Sequence, residues 1–376
     1  WVQVPRPHGS VTASASGSMA AAASSHCYEA MDHVSWLADV GLQDRLQVGG
    51  KGGSLGELLR AGIAVPPGFI LGTAAFERFL ETVEAAWPVR ERVGCLSAED
   101  LSATSQCCAA VRRRLEESPL PPDVERQIER AHVRLCGSSR TPVAVRSSAT
   151  TEDATDASFA GLQDTYLWVQ DLGQTLRSIR ACWASLYSVE SVCYRRKRNM
   201  PEEGVAMAVV VQAMVDARTA GVMFTRSPTS GDRSVITIEG AWGLGSAVVG
   251  GEVTPDHWVL GKVTGEIAVR EISDKRIRHV PAAGGGIESV PVPEANRHEP
   301  SLSDAELQTL RSIGRQVERH YGCPQDIEWA IDRASGEVLL LQSRPETVWS
   351  SKAAAPLASA QTDPLAHLMS IFGGRQ

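Results

Sequence analysis

No run of roughly 18 to 20 uninterrupted apolar residues occurs in the 376-residue chain, so nothing in it reads as a membrane span. Positive charge is not in excess either. The 37 Lys and Arg stand against 44 Asp and Glu, a net charge of −7 that argues against a broadly basic nucleic-acid binder. Cysteine is sparse, with eight residues and no pair at CxxC spacing. That excludes a disulfide scaffold and a zinc or redox motif of the CxxC kind, and it points to reduced thiols in a cytoplasm. The Ala/Ser-rich VTASASGSMAAAASS near the start has no apolar h-region, so it does not read as a secretory signal. A GxxxxGK[ST] phosphate loop is missing as well. What is present is 43% hydrophobic and 22% charged residues, the composition of a folded protein rather than a disordered one. The length fits two or three domains at about 150 residues each.

Residues 1–33 read as a flexible arm or an expression scar, because Gly17-Ser18 directly precedes Met19. A first lobe is expected over 34–204, a second over 205–349, and a linker with a short apolar tail over 350–376. Within the first lobe, Leu55, Leu58, Leu59 and Ile63 fall at helical spacing, with Ser54 as N-cap and Glu57 completing a capping box. Pro66-Pro67-Gly68 stops that helix and Phe69–Leu71 reads as a strand. Residues 73–135 read as mainly helical, followed by a strand at Val143–Val145 and one long helix from Leu172 to Arg198. In the second half, 205–212, 221–225, 235–238 and 257–260 are strand-like, and AAGGGIESVPVPEA reads as loose. A helix near Ser303–Tyr321 and a hairpin complete the pattern. Strands and helices mix without strict βαβ alternation, so the fold class expected is α+β in two lobes.

Four segments carry groups suited to chemistry. In the hairpin DIEWAIDRASGEVLLLQSRPET, Ile327, Trp329 and Ile331 alternate with Asp326 and Glu328, giving one apolar and one acidic face. With the tip at Ala334-Ser335-Gly336, position 328 lies opposite 342 and 326 opposite 344. Glu328, Gln342, Asp326 and Arg344 then share a face. Glu328 and the Gln342 amide oxygen suit a hard cation such as Mg²⁺, and Arg344 suits a phosphate. The same pattern also fits the solvated face of an ordinary hairpin. In VAVRSSATTED, Arg146 is followed by Ser147, Ser148, Thr150 and Thr151, and Gly161 and Thr165 come soon after. Such turns can cradle polyphosphate or be a plain Ser/Thr-rich loop. Lys51 within Gly49–Gly53 offers backbone approach and a point charge, although a glycine-rich turn before a helix is common. VVVQAMV ends an apolar strand on Gln212, which fits a buried core strand or a purine-binding edge.

In this order, VGGKGGSLGELLRAGIAVPPGF, VAVRSSATTED, SFAGLQDTYL, GVMFTRSP, AWGLGSAVVGGEVTPD and DIEWAID…LLLQSRPETV closely resemble one family. It is the N-terminal ATP-binding domain shared by phosphoenolpyruvate synthase, pyruvate phosphate dikinase and rifampin phosphotransferase, and the likeness runs from about Leu46 to Val348. The resemblance implies a two-lobed ATP-grasp fold holding ATP and Mg²⁺. It also implies transfer of the β-phosphoryl group to a histidine on a separate swivelling domain, with AMP and phosphate released. Lys51, Arg146 and Thr165 would contact phosphates, with Gly161 making room. Gln212 and Met214 would lie at the adenine pocket, Glu328 and Gln342 would hold Mg²⁺, and Arg344 would stabilise the transferring group. Lys51, Arg146 and Arg344 are thus the expected catalytic residues. None of the nine histidines stands in a Thr-Ser-His or Gly-Gly-x-x-Ser-His context. The expected arrangement is therefore an ATP-binding subunit whose phosphoryl acceptor is a histidine on a partner subunit, similar to that of phenylphosphate synthase. The final acceptor would be a small molecule such as phenol or pyruvate, bound on the partner. Two other readings stand beside it: an ATP-sensing regulatory subunit without transfer, and a fragment of a single-chain phosphoenolpyruvate synthase or antibiotic phosphotransferase.

Overall fold

The computed structural model describes residues 33–97, 99–137, 141–150 and 164–349. The arm before residue 33, Thr151, Gly161 and the tail from 350 lie outside the described residues. The chain begins β1 (Val34–Trp36), α1 (Arg45–Arg60) and β2 (Gly68–Leu71). Four helices follow: α2 (Thr73–Glu84), α3 (Val89–Gly94), α4 (Leu101–Glu117) and α5 (Pro122–Cys136). Then come β3 (Val143–Ala149), β4 (Thr165–Val169), α6 (Leu172–Ser185), α7 (Val189–Lys197) and β5 (Met207–Ala213). The remainder runs β6 (Ala217–Phe224), β7 (Val235–Trp242), α8 (Ser246–Val249), β8 (Asp256–Gly261) and β9 (Ile267–Glu271). It ends β10 (Ile277–Pro281), β11 (Ile287–Pro291), α9 (Glu294–Arg297), α10 (Asp304–Tyr321), β12 (Gln325–Asp332) and β13 (Val338–Pro345).

Two antiparallel sheets organise these elements, one of five strands in the order β1-β2-β5-β3-β4 and one of six in the order β13-β12-β6-β7-β8-β9. β5 belongs to the first sheet, so that sheet extends past the boundary expected at residue 204. The reason is legible in its sequence. MAVVV is apolar at every position, as a strand covered on both faces must be. Val209 and Val211 pack with Phe76, Phe79 and Trp183 in the helical core. Ala208 and Val210 pack on the other face with Leu55 and Leu58 of α1 and with Ile238, Trp258 and Trp329 of the second sheet. α1 and α10 therefore fill one face of the second sheet and share a core with the first.

α1 is two helical pieces broken at Gly49, whose φ of 73° is in the left-handed region. A Cβ there would stand 2.1 Å from the Ser148 carbonyl oxygen, so β3 presses on the glycine run. Ser148 Oγ donates to Val48 O at 2.9 Å and accepts from Gly52 N at 3.1 Å, which caps the second piece from outside. The expected Ser54 N-cap is therefore wrong. Ser54 lies inside the helix, with Oγ donating to Ser343 O at 2.6 Å, and Glu57 accepts from Leu42 N and pairs with His320 Nε2 at 2.7 Å. The single helix expected over 172–198 is also two, because the chain turns at 186–188 and Ser188 starts a second helix by accepting from Ser191 N. The stretch read as loose is largely the β10–β11 hairpin, whose alternation is masked by three glycines at its tip. The expected helix over 303–321 is α10, with Ser303 and Glu306 forming a capping box.

The loop into β10 is anchored by a buried ion pair. Lys275 Nζ lies 2.5 Å from Asp256 Oδ1, both side chains fully buried. The carboxylate also accepts from Ser273 N at 3.0 Å and Ser301 N at 2.8 Å. Removing one partner leaves an uncompensated buried charge. Lys275→Ala is expected to destabilise the protein by about 3–5 kcal/mol, read as a lowered urea midpoint at unchanged slope; a change within error would contradict this anchoring.

Candidate functional site: a cleft between the two sheets

Strand alternation aims the chemistry. On β3, Val143 and Val145 point into the helical core, so Ala144 and Arg146 point the other way. On β12, Ile327, Trp329 and Ile331 point into the shared core, so Glu328 faces the opposite side. These outward faces bound a cleft of about 690 Å³. Its apolar wall includes Leu167, Met214, Val215, Leu244 and Ile287. The β10–β11 hairpin closes one side, where Gly286 N donates to Trp168 O at 3.1 Å. Trp168 itself holds a φ of 55°, unusual for a side chain of its size.

The register of the β12–β13 hairpin is the one expected, with Glu328 opposite Gln342 and Asp326 opposite Arg344. A bulge after Glu328 inserts Leu341, which lines the cleft. Arg146 spans the two sheets. Its Nη1 donates to Leu341 O at 2.6 Å, and its Nη2 donates to Gln342 Oε1 at 2.7 Å and Glu328 Oε2 at 3.3 Å. Thr165 lies opposite Arg146 on β4, so Arg146, Thr165 and Glu328 line the cleft together, with Gln342 joined to them through its bond to Arg146. Gln212 and Met214 line the cleft as well. The Gln212 amide is 2% exposed and donates to Pro66 O at 3.1 Å, while Met214 packs beside Trp168, Leu244 and Ile287.

Three expected residues stand apart from the lining, and the first, Gln342, meets it through its bond to Arg146. Lys51 is buried in α1 close enough to Cys182 for its charge to oppose the rise that burial imposes on that thiol. Arg344 lies on the hairpin beyond the cleft, 3.4 Å from Asp326 Oδ2 and half exposed. Burial raises the Asp326 carboxyl above its ordinary value, and Arg344 opposes the rise. Gly161 lies outside the described residues. Several lining residues were not singled out from the sequence: Tyr166, Gln174, Arg177, Ser178 and Ser246. The glycines of AWGLGSAVVGG marked the Ser246 loop, but nothing in the spacing marked the face of α6.

Among the described residues no group of three or more His, Cys, Asp or Glu is arranged to hold a metal. The described cysteines are all unbridged, and no described helix is long and apolar enough to cross a membrane.

Residues 45–363 match the family model described as pyruvate phosphate dikinase, AMP/ATP-binding domain. A probable phosphoenolpyruvate synthase of Staphylothermus marinus is 39% identical over 345 residues, covering 84% of this chain and 41% of the relative. That of Methanothermobacter thermautotrophicus is 40% identical over 318 residues, with 84% and 46% covered. A rifampicin phosphotransferase of a Streptomyces species is 40% identical over 312 residues, with 83% and 35% covered. The chain thus spans less than half the length of these relatives. A solved D-alanyl-alanine synthetase A from Vibrio cholerae aligns over 66% of this chain and 56% of its own at 11% identity and a TM-score of 0.26, too distant to bear on either fold or function. The matched segment takes in both sheets, apart from the edge strand β1, and the cleft between them, and by that match the chain belongs to the family of pyruvate phosphate dikinase AMP/ATP-binding domains, with the two-lobed α+β nucleotide-binding fold expected from its motifs.

Proposed function

We propose that the cleft binds ATP and that the chain is the ATP-binding part of a dikinase-type phosphotransferase, passing the β-phosphoryl group to a histidine on a partner subunit. The observation that carries this reading is Arg146, a cation seated on the Glu328 and Gln342 oxygens and lining a cleft whose wall is mainly apolar. Such a cleft suits a ligand with a flat apolar ring and a polyanionic tail.

Arg146 and Thr165 orient the phosphates from the first sheet, and Lys51 adds positive charge behind the glycine turn. A carboxylate and an amide oxygen side by side suit a hard divalent cation, so Glu328 and Gln342 are the residues that would hold Mg²⁺ once Arg146 turns from them to the phosphates, with the nucleotide supplying further oxygens. Bound there, Mg²⁺ neutralises phosphate charge. Arg344 stabilises the phosphoryl group in transit, which requires it to leave Asp326 and turn toward the cleft. In the balanced reaction the α–β bridging bond breaks as a histidine nitrogen bonds to the β-phosphorus. Water takes up the γ-phosphoryl, and AMP and phosphate leave. Among the described residues no histidine lines the cleft, which supports an acceptor outside them. The partner then passes the group to a small molecule such as phenol or pyruvate, and the site choosing that molecule lies on the partner.

With the histidine-bearing partner present, label from β-labelled ATP is expected in acid-labile phosphohistidine, with one AMP and one phosphate per transfer. Label arriving from the γ-position with ADP as product would contradict the dikinase reading. Arg344→Ala is expected to lower transfer by about 100-fold or more with the unfolding midpoint unchanged, since the side chain is half exposed; full activity would remove its assigned role. Arg146→Lys keeps the charge but not the planar fork, so ATP affinity measured by calorimetry is expected to fall by about tenfold or more.

A further inference from the structure

Apart from Arg146 and its partners, three side chains are hydrogen-bonded in series. Ser246, on the short α8, lines the cleft, and its Oγ lies 2.8 Å from His279 Nδ1. The other ring nitrogen, Nε2, lies 3.2 Å from Glu252 Oε2. His279 is 6% exposed. The loop carrying Ser246 is fastened to β10 at the same residue, because Leu244 N donates to His279 O at 3.0 Å. Gly243 holds a φ of 80° beside it, where a Cβ would stand 2.4 Å from that carbonyl oxygen. The pairs His257–Glu239 and His320–Glu57 hold no lining residue in this way.

With His279 neutral, the chain of bonds sets which way the serine hydroxyl points. A carboxylate is acceptor only, so the Nε2 facing Glu252 carries a proton. In the neutral ring Nδ1 then has the lone pair and accepts the Ser246 hydroxyl hydrogen. That hydrogen is the only one the hydroxyl has. Its lone pairs stay available to the cleft that Ser246 lines together with Leu244, Val249 and Ile287. A single oriented acceptor in such a lining discriminates strongly between ligands that do and do not offer a donor.

We infer that Ser246 is a selecting contact for the nucleotide, an acceptor for one hydrogen-bond donor on its sugar or base, with His279 and Glu252 as the positioning residues that set its polarity. The inference rests on reading the cleft as a nucleotide site.

The test is calorimetric titration of the full chain with ATP, 2′-deoxy-ATP, 3′-deoxy-ATP and purine riboside triphosphate, which lacks the exocyclic amine. The wild type is expected to bind one of these analogues about tenfold or more weakly than ATP, and the identity of that analogue assigns the donor to sugar or base. In Ser246→Ala the difference between ATP and that analogue is expected to vanish, with ATP falling to the analogue's level. Glu252→Ala, at a largely exposed side chain, is expected to narrow the same difference without touching the lining. A purely structural role for the three residues would weaken all four ligands alike. Ser246→Ala retaining the full wild-type discrimination, or a wild type that binds all four equally, would overturn the inference. A wild type that binds none of them would instead overturn the nucleotide reading and this inference with it.

Discussion

A guanidinium taken largely out of water must find its acceptors within the protein, and Arg146 finds them on the opposite sheet. It leaves β3 and ends on a carbonyl, an amide oxygen and a carboxylate of the β12–β13 hairpin. The polar lining of the cleft follows from that reach. The bulge after Glu328 turns Leu341 and Gln342 so that both oxygens meet one fork. Strand alternation on β3 then fixes Ala144 on the same side, and the antiparallel partner β4 puts Thr165 opposite.

α1 makes the two sheets hold still around this contact. Its Leu55 and Leu58 are fully buried between them. Polar links run from the same helix to the second half of the chain. Ser54 Oγ donates to Ser343 O, Tyr321 Oη donates to Ser54 O at 3.1 Å, and His320 pairs with Glu57. The hydrogen bond to His320 holds the Glu57 carboxyl below its ordinary value. A carboxyl depressed in the folded state stabilises the fold above its unfolded pKa, and that contribution fades as the pH falls through the folded one. The glycine run before these residues is what lets β3 come close enough for Ser148 to cap the helix.

The hairpin was the most legible part of the sequence, because a period of two and a tight turn together determine which residues face each other. Those rules place Glu328 opposite Gln342 from sequence alone. They did not show that Arg146 would occupy both oxygens, since nothing local ties β3 to β13. Ser54 has the local spacing of an N-cap, whereas the cap comes from Ser148 on a distant strand. Chain order places β5 with the second lobe, while its unbroken apolar run fits the strand covered on both faces that it forms in the first sheet. The Ser246 loop was visible as a glycine motif, but its link to His279 depends on a tertiary contact that spacing does not encode. Arg344 and Lys51 were placed by family likeness, and both stand off the cleft lining, so any approach to a ligand depends on movement or on charge acting at a distance.

The most direct measurement is thermal unfolding of the full chain with ATP, in the presence and absence of Mg²⁺, for the wild type and Glu328→Ala. Ligand at about 100 times its dissociation constant adds roughly 2.7 kcal/mol of stability. The expected result is a clear upward shift that needs Mg²⁺ and is lost in the variant. A shift of equal size without Mg²⁺, or one that survives the substitution, would contradict the assignment of this cleft as the site of Mg²⁺-ATP.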